Sequence, residues 1–206
     1  MTPLRTHWDA VHGSHPQGTA SWYEATPATS VRLIHRALAT GSVIDVGAGT
    51  SLLADALLVE GWTDITLLDV SERALAAVRA RLGERPGVSY VATDLLAWTP
   101  TRRYDLWHDR AVFHFLTAPG DVERYVATAS AAVVPGGALV IGTFAQDGPQ
   151  QCSGLPTAHY DPDELVRCFA EHFTEEHRER EEHRTPTGAV QPFSWAVLRR
   201  TPHAAG

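Results

Sequence analysis

Apolar and polar positions along the chain alternate between two periods, and that alternation sets the predicted elements. Ser30 reads as the cap of a helix with Val31, Ile34 and Leu38 on one face, closed by Gly41. Short apolar runs at Ser42–Val46, Ile65–Leu68, Val88–Ala92 and Tyr104–His108 read as strands, and Ala138–Phe144 as a fifth after Pro135-Gly136-Gly137. Between them lie helical stretches: Ser51–Glu60, a segment capped by Ser71 with Leu75, Val78 and Leu82 on one face, and a stripe from Val122 through Tyr125, Val126 and Ala129 to Val133. Asp161, Pro162 and Glu164 spell a helix start with a capping box. Two further strands, about Phe173–Glu181 and Phe193–Arg199, are joined by a turn at Thr185-Pro186-Thr187-Gly188. Residues 1–28 show no clear period and read as an irregular lead-in or lid.

Strands that alternate with helices require right-handed crossovers, hence a parallel sheet covered on both faces. The last two strands have no helix between them, so one of them should run antiparallel at the edge. The expected fold is a doubly wound, Rossmann-like α/β domain over residues 1–206, with seven strands, mostly parallel, and an antiparallel C-terminal hairpin.

Composition narrows the class. At 206 residues, 44% hydrophobic and 20% charged, the chain fits one domain with a full core. The formal charge is −7 and every basic side chain apart from histidine is arginine, which disfavours nucleic-acid and acidic-membrane partners. Glutamates alternate with arginines over Arg178–Arg184, as on a solvated face. Cys152 and Cys168 form no CxxC pair, so neither a disulfide framework nor a thiolate zinc site is expected, and no metal is called for. No apolar run suggests a signal peptide or a membrane span; the expectation is a soluble, cytoplasmic protein, monomeric or homodimeric.

In an open parallel sheet, ligands bind where strands end at their carboxyl edge. There the chain places Asp45-Val46-Gly47-Ala48-Gly49-Thr50-Ser51 after strand one, Asp69-Val70 after strand two and Asp94-Leu95 after strand three. Gly47 and Gly49 permit a tight turn and close approach of a ligand, with Ala48 and Thr50 in the same loop. A dinucleotide's pyrophosphate would be repelled by Asp45, and the third glycine of that fingerprint falls on Leu52. S-adenosylmethionine, with its ammonium and sulfonium, suits Asp45; Asp69 can accept the ribose hydroxyls, and Asp94 the adenine amino group beside Leu95. Read blandly, these acids are turn residues and caps.

VIDVGAGTS, LLDVS, ATDLLAW, YDLWHDRAVFHFL and VPGGALVIGTF, in this order, resemble the motifs of class I S-adenosylmethionine-dependent methyltransferases, over roughly Ser30 to Phe144. The resemblance implies that Asp45, Gly47 and Gly49 meet the methionyl part, Asp69 the ribose, and Asp94 with Leu95 the adenine. Ser51 stands where many members have a third glycine. Ser21-Trp22-Tyr23-Glu24 looks like the aromatic element that closes over the cofactor in several small bacterial members.

On the acceptor side, His114, Asp109 and Arg110 are the expected catalytic residues, with His114 as a base, and His108 is expected in the cofactor pocket, which Arg110 could also line; read blandly, Asp109 pairs with Arg110 or caps a helix. Cys152, His159 and Tyr160 follow strand five as a candidate acceptor wall. The function expected is methyl transfer to a small molecule. The alternatives are a protein side-chain methyltransferase, a non-catalytic S-adenosylmethionine-binding protein, and an NAD-dependent oxidoreductase.

Overall fold

A computed structural model describes residues 2–15 and 18–202; Met1, residues 16–17 and 203–206, the remainder of the expected lead-in and of the 1–206 domain, lie outside it. The sheet strands are β1 (Ser42–Val46), β2 (Asp64–Asp69), β3 (Val88–Ala92), β4 (Tyr104–Arg110), β5 (Val133–Phe144), β8 (Phe173–Arg184) and β9 (Val190–Arg200), with a short β6–β7 hairpin at Gln151–Cys152 and Leu155–Pro156. The helices are α1 (Pro3–Ser14), α2 (Ala28–Ala37), α3 (Leu53–Val59), α4 (Glu72–Leu82), α5 (Asp121–Ala132) and α6 (Pro162–Phe169). Strand order is β3-β2-β1-β4-β5-β9-β8. Strands β1 to β5 pair in parallel, the order reverses between β1 and β4, and the chain leaves their carboxyl ends toward helices on opposite faces, α3 and α5.

Strand parity decides which side chain meets which helix. Val43, Leu106 and Val140 pack with Leu33 and Ile34 of α2, Leu53 and Leu57 of α3, and Leu75 and Val78 of α4. Their neighbours Ile44, Trp107 and Ile141 pack on the other face with Tyr125 and Ala129 of α5 and Leu165 and Phe169 of α6.

The C-terminal hairpin departs from expectation in one respect. The antiparallel strand is β9, inserted between β5 and β8, while β8 takes the edge. The sequence explains the choice: β9 buries Phe193 through Leu198, whereas β8 carries Glu175, Arg178, Arg180 and Glu182 into solvent. A charged strand belongs at the edge, where it discourages pairing with another chain. Two other readings are corrected. Ser30 is not a helix cap, because α2 starts at Ala28 and carries the buried Ser30 inward in its first turn. Residues 3–14 are helical, with Thr2 as N-cap accepting from Arg5 N and Pro3 in the first turn. By contrast, Ser71 does cap α4, accepting from Ala74 N, and Asp161 and Glu164 close a capping box on α6.

The end of β4 is fixed from behind. Ala111 has φ +71°, in the left-handed region that a side chain resists. Asp109, fully buried, accepts from Val112 N at 3.0 Å and from the Tyr125 hydroxyl at 2.6 Å, and that hydroxyl accepts from Trp107 Nε1 at 2.9 Å. Burial pushes the Asp109 carboxyl up to about 6, against the pull of these donors. Tyr125→Phe removes one donor from the carboxylate and orphans the Trp107 N–H. The expected cost is about 2–4 kcal/mol, measured as a lower urea midpoint with unchanged slope.

Candidate functional site

At the carboxyl ends of β1 and β4 lies a cavity of about 540 Å³, within the range of small-molecule sites. Its floor is the turn after β1, where Gly47 and Gly49 have φ of +63° and +51°. A Cβ at Gly47 would lie 1.9 Å from Val112 Cγ2, so glycine is required by contact as well as by conformation.

Three acids line this floor. Asp69, at the end of β2, accepts from Gly49 N and Ser71 N, each at 2.7 Å, and burial raises its carboxyl to about 6 against those two bonds. Each of its oxygens keeps a further lone pair for a ligand hydroxyl. Asp94 caps the single 3-10 turn Leu95–Ala97, accepting from Leu96 N at 3.0 Å through one oxygen. Both the capping role and the place on the cavity wall therefore hold for Asp94.

Asp45 sits directly opposite His108 on the neighbouring parallel strand, both on the face covered by α2. Their contact is 2.7 Å from His108 Nδ1 to Asp45 Oδ1, and His108 Nε2 lies 3.0 Å from Ser30 Oγ. A carboxylate only accepts, so Nδ1 carries the proton toward Asp45, and in the neutral ring Nε2 accepts from Ser30. All three residues are buried and all three line the cavity. Asp45 Oδ2 takes no part in this chain.

Arg110 also reaches the cavity. It donates to the Trp22 carbonyl at 2.8 Å and stands 3.3 Å from Glu24 Oε2, with its guanidinium 5.1 Å from the Phe193 ring centre. Glu24 in turn lies 3.7 Å from His183 Nδ1, and His183 Nε2 contacts the Ser21 carbonyl at 2.8 Å. Desolvation shifts Glu24 upward and Arg110 downward, as expected of a buried pair. These contacts fix residues 21–24 beside the cavity, which Trp22 and Tyr23 line.

The second part of the roof is α1, which sequence reasoning missed. Leu4, Trp8 and His12, spaced four apart, share one helical face and line the cavity, as does His15 just beyond the helix end. Trp8 meets Phe115 edge-on at 5.2 Å, and His12 meets Trp22 edge-on at 6.0 Å. The His12 Cε1 atom would be 3.2 Å from a Cβ on Gly49, and burial lowers its ring pKa, favouring the neutral form above the glycine turn. Thr2-Pro3 followed by that spacing was the available signal, masked by the Thr, His and Gly content of the segment.

The other expected residues divide between the wall and the layer behind it. Ala48, Thr50, Val70, Leu95 and Cys152 are on the wall, with burial raising the Cys152 thiol. His114 is not on it: the ring is fully buried, stacked 4.1 Å from Phe144, with both nitrogens unpaired, and burial lowers it to about 3. That places it behind the wall as a neutral packing group, which corrects the expectation of a base. Asp109 is likewise behind the wall, occupied by Val112 and Tyr125 and not by Arg110. His159 bonds to the Pro149 carbonyl at 2.9 Å and Tyr160 packs on Phe113 at 5.1 Å, so neither forms the acceptor wall.

A glycine turn open to close approach, flanked by acids at the carboxyl edge of three adjacent strands and roofed by aromatic rings, fits a nucleoside joined to a cationic chain. Residues 43–137 match the family model of the methyltransferase domain. A malonyl-[acyl-carrier protein] O-methyltransferase of Ilyobacter polytropus is 22% identical over 107 residues; the match covers 52% of this chain but only 40% of that protein. The N-methyltransferase NodS of Bradyrhizobium japonicum, solved with S-adenosylhomocysteine, shares the fold with a TM-score of 0.74 at 16% identity, over 98% of this chain and 100% of that one. A Burkholderia thailandensis 1,6-didemethyltoxoflavin N1-methyltransferase, solved with 1,6-didemethyltoxoflavin and S-adenosylhomocysteine, gives a TM-score of 0.68 at 24% identity, over 85% of this chain and 78% of that one. Residues 43–137, a little under half of the chain, thus resemble a methyltransferase domain, and the chain shares the fold of these solved methyltransferases over most of its length.

Proposed function

We propose that this protein methylates a small-molecule acceptor enclosed beneath α1 and residues 21–24. The observation that carries this reading is the cavity of about 540 Å³ lined by α1 and residues 22–24, a volume within the range of small-molecule sites. The toxoflavin relative, whose acceptor is a small molecule, supports it.

When bound, S-adenosylmethionine supplies an electrophilic methyl carbon on a positively charged sulfur. The chain's own groups do the rest. Asp45 Oδ2 offers a carboxylate oxygen to the ammonium, while His108 and Ser30 hold the side chain in place. Gly47, Ala48, Gly49 and Thr50 let the backbone approach. Asp69, next to Val70, accepts the ribose hydroxyls; Asp94 accepts the adenine amino group, and Leu95 covers the ring. His12, kept neutral by burial, covers the glycine turn without opposing a cation. Trp22, Tyr23, Arg110 and Cys152 bound the remaining space, where the acceptor is aligned and water excluded. Arg110 acts by holding the cover shut through Trp22 and Glu24. No helix among the described residues is long and apolar enough to cross a membrane, and both cysteines are free, which supports a reducing cytoplasmic setting.

Calorimetry with S-adenosylhomocysteine tests the assignments. Asp45→Ala should weaken binding on the order of tenfold by removing the ammonium's partner, and affinity equal to wild type would remove Asp45 from the site. Asp69 supplies a pH signature. Its carboxyl titrates near about 6, so acidification from about pH 7.5 to about pH 5 converts an acceptor into a neutral acid. Affinity should therefore fall with acid through that window, and Asp69→Asn should flatten the profile. An unchanged profile in the variant would assign the titration elsewhere. A panel of thiols, phenols and amines then tests the acceptor class. Turnover of any of them supports a small-molecule acceptor, and turnover confined to protein side chains overturns it.

A further inference from the structure

Helix α1 carries two stripes displaced by one residue. Leu4, Trp8 and His12 face the cavity, whereas Arg5, Asp9 and Gly13 face α4. Arg5 Nη1 donates to Glu72 Oε1 at 2.6 Å. The Asp9 Oδ1 atom accepts from the Ser71 hydroxyl at 2.6 Å and from Arg73 N at 3.2 Å. At Gly13 a Cβ would lie 2.7 Å from Arg73 Nη1, so the missing side chain makes room for that guanidinium.

The Asp9 contact differs from the other two because of where it leads. Ser71 donates its backbone N–H to Asp69 Oδ1, and Asp69 Oδ2 accepts from Gly49 N. A single hydrogen-bonded chain therefore runs from Asp9 through Ser71 and Asp69 to the glycine turn. The same helix that Asp9 docks returns His12 over that turn from above. The loop of contacts closes around the part of the cavity assigned to the cofactor.

We propose that Asp9, which does not line the cavity, is a positioning residue for cofactor binding: it docks the roof helix onto α4 and ties that docking to Asp69. A ligand bonded to Asp69 and lying under Trp8 and His12 stabilises the docked helix, and by reciprocity the docked helix retains the ligand. The bond is charge-assisted, with a carboxylate accepting from a hydroxyl and from a backbone N–H at the first turn of α4. This proposal rests on the cofactor assignments above and adds a residue outside the cavity to them.

The test uses the full chain with S-adenosylhomocysteine as probe. Asp9→Ala should raise the dissociation constant about tenfold, chiefly through faster dissociation, because loss of docking opens the roof. The Asp9→Asn variant keeps an oxygen that can accept from both Ser71 and Arg73 and should stay within about threefold of wild type, a rescue that loss of charge alone would not give. Backbone amide exchange over residues 3–14 supplies a readout that needs no variant: the probe should slow exchange there in wild type, and in Asp9→Ala that protection should be lost. Wild-type affinity and kinetics in Asp9→Ala overturn the proposal, as does probe binding that leaves exchange in residues 3–14 unchanged. Failure of the wild type to bind the probe at all would count against the cofactor site itself, and is thereby distinguished from failure of the Asp9 role.

Discussion

The ligand edge depends on one close approach: the backbone of Gly47 against the side chain of Val112. With Val112 Cγ2 standing 1.9 Å from where a Cβ would be, the turn after β1 lies directly on the turn after β4. That contact brings the two strand ends together at the place where strand order reverses. It needs Gly47 in a left-handed conformation and also needs Val112 held still, with Ala111 strained beside it. Asp109 supplies the second requirement through Val112 N, and Tyr125 and Trp107 support Asp109 from the core. A polar chain buried under the sheet thus shapes a cavity that it never touches.

That division explains which parts of the molecule could be read from the sequence. Strand and helix positions follow from local periods, and β3 in particular begins and ends where its apolar run does. The cavity acids were legible for the same reason: in a parallel sheet, each acid that ends a strand arrives at the same edge, so Asp45, Asp69 and Asp94 needed only the topology. His114 and Asp109 were not legible, although they sit in the same motif as Arg110. Asp109 lies inside β4 and alternates away from His108 and Arg110 to the α5 face, whereas the direction of His114, beyond the strand end, depends on the turn that follows, here with left-handed Ala111. His159 and Tyr160 were misplaced for a similar reason, since the chain after β5 turns away through the β6–β7 hairpin and leaves only Cys152, Leu155 and Pro156 on the wall. The pairing of Ser30 with His108 needs the register of β1 against β4 and the docking of α2, both of which are long-range facts.

The roof shows a different limit. Helix α1 buries none of its residues fully, so the strong apolar stripe by which helices are recognised is absent. It is instead held by polar contacts with α4 and by aromatic edges over a cavity. An element whose apolar face covers a ligand site, and not the core, has no reason to look like a core helix. Its rings and those of Trp22 and Phe115 give the cavity an apolar ceiling above an acidic floor, a division suited to a flat base and a charged chain bound side by side.

The most direct test of this account is a crystal structure with S-adenosylhomocysteine bound. The account predicts the nucleoside between Asp69 and Asp94, the amino-acid end at Asp45 beside the Gly47–Gly49 turn, and α1 docked on α4 with Trp8 and His12 over the ligand. A ligand bound away from the β1–β4 edge, or bound there with α1 undocked, would contradict it.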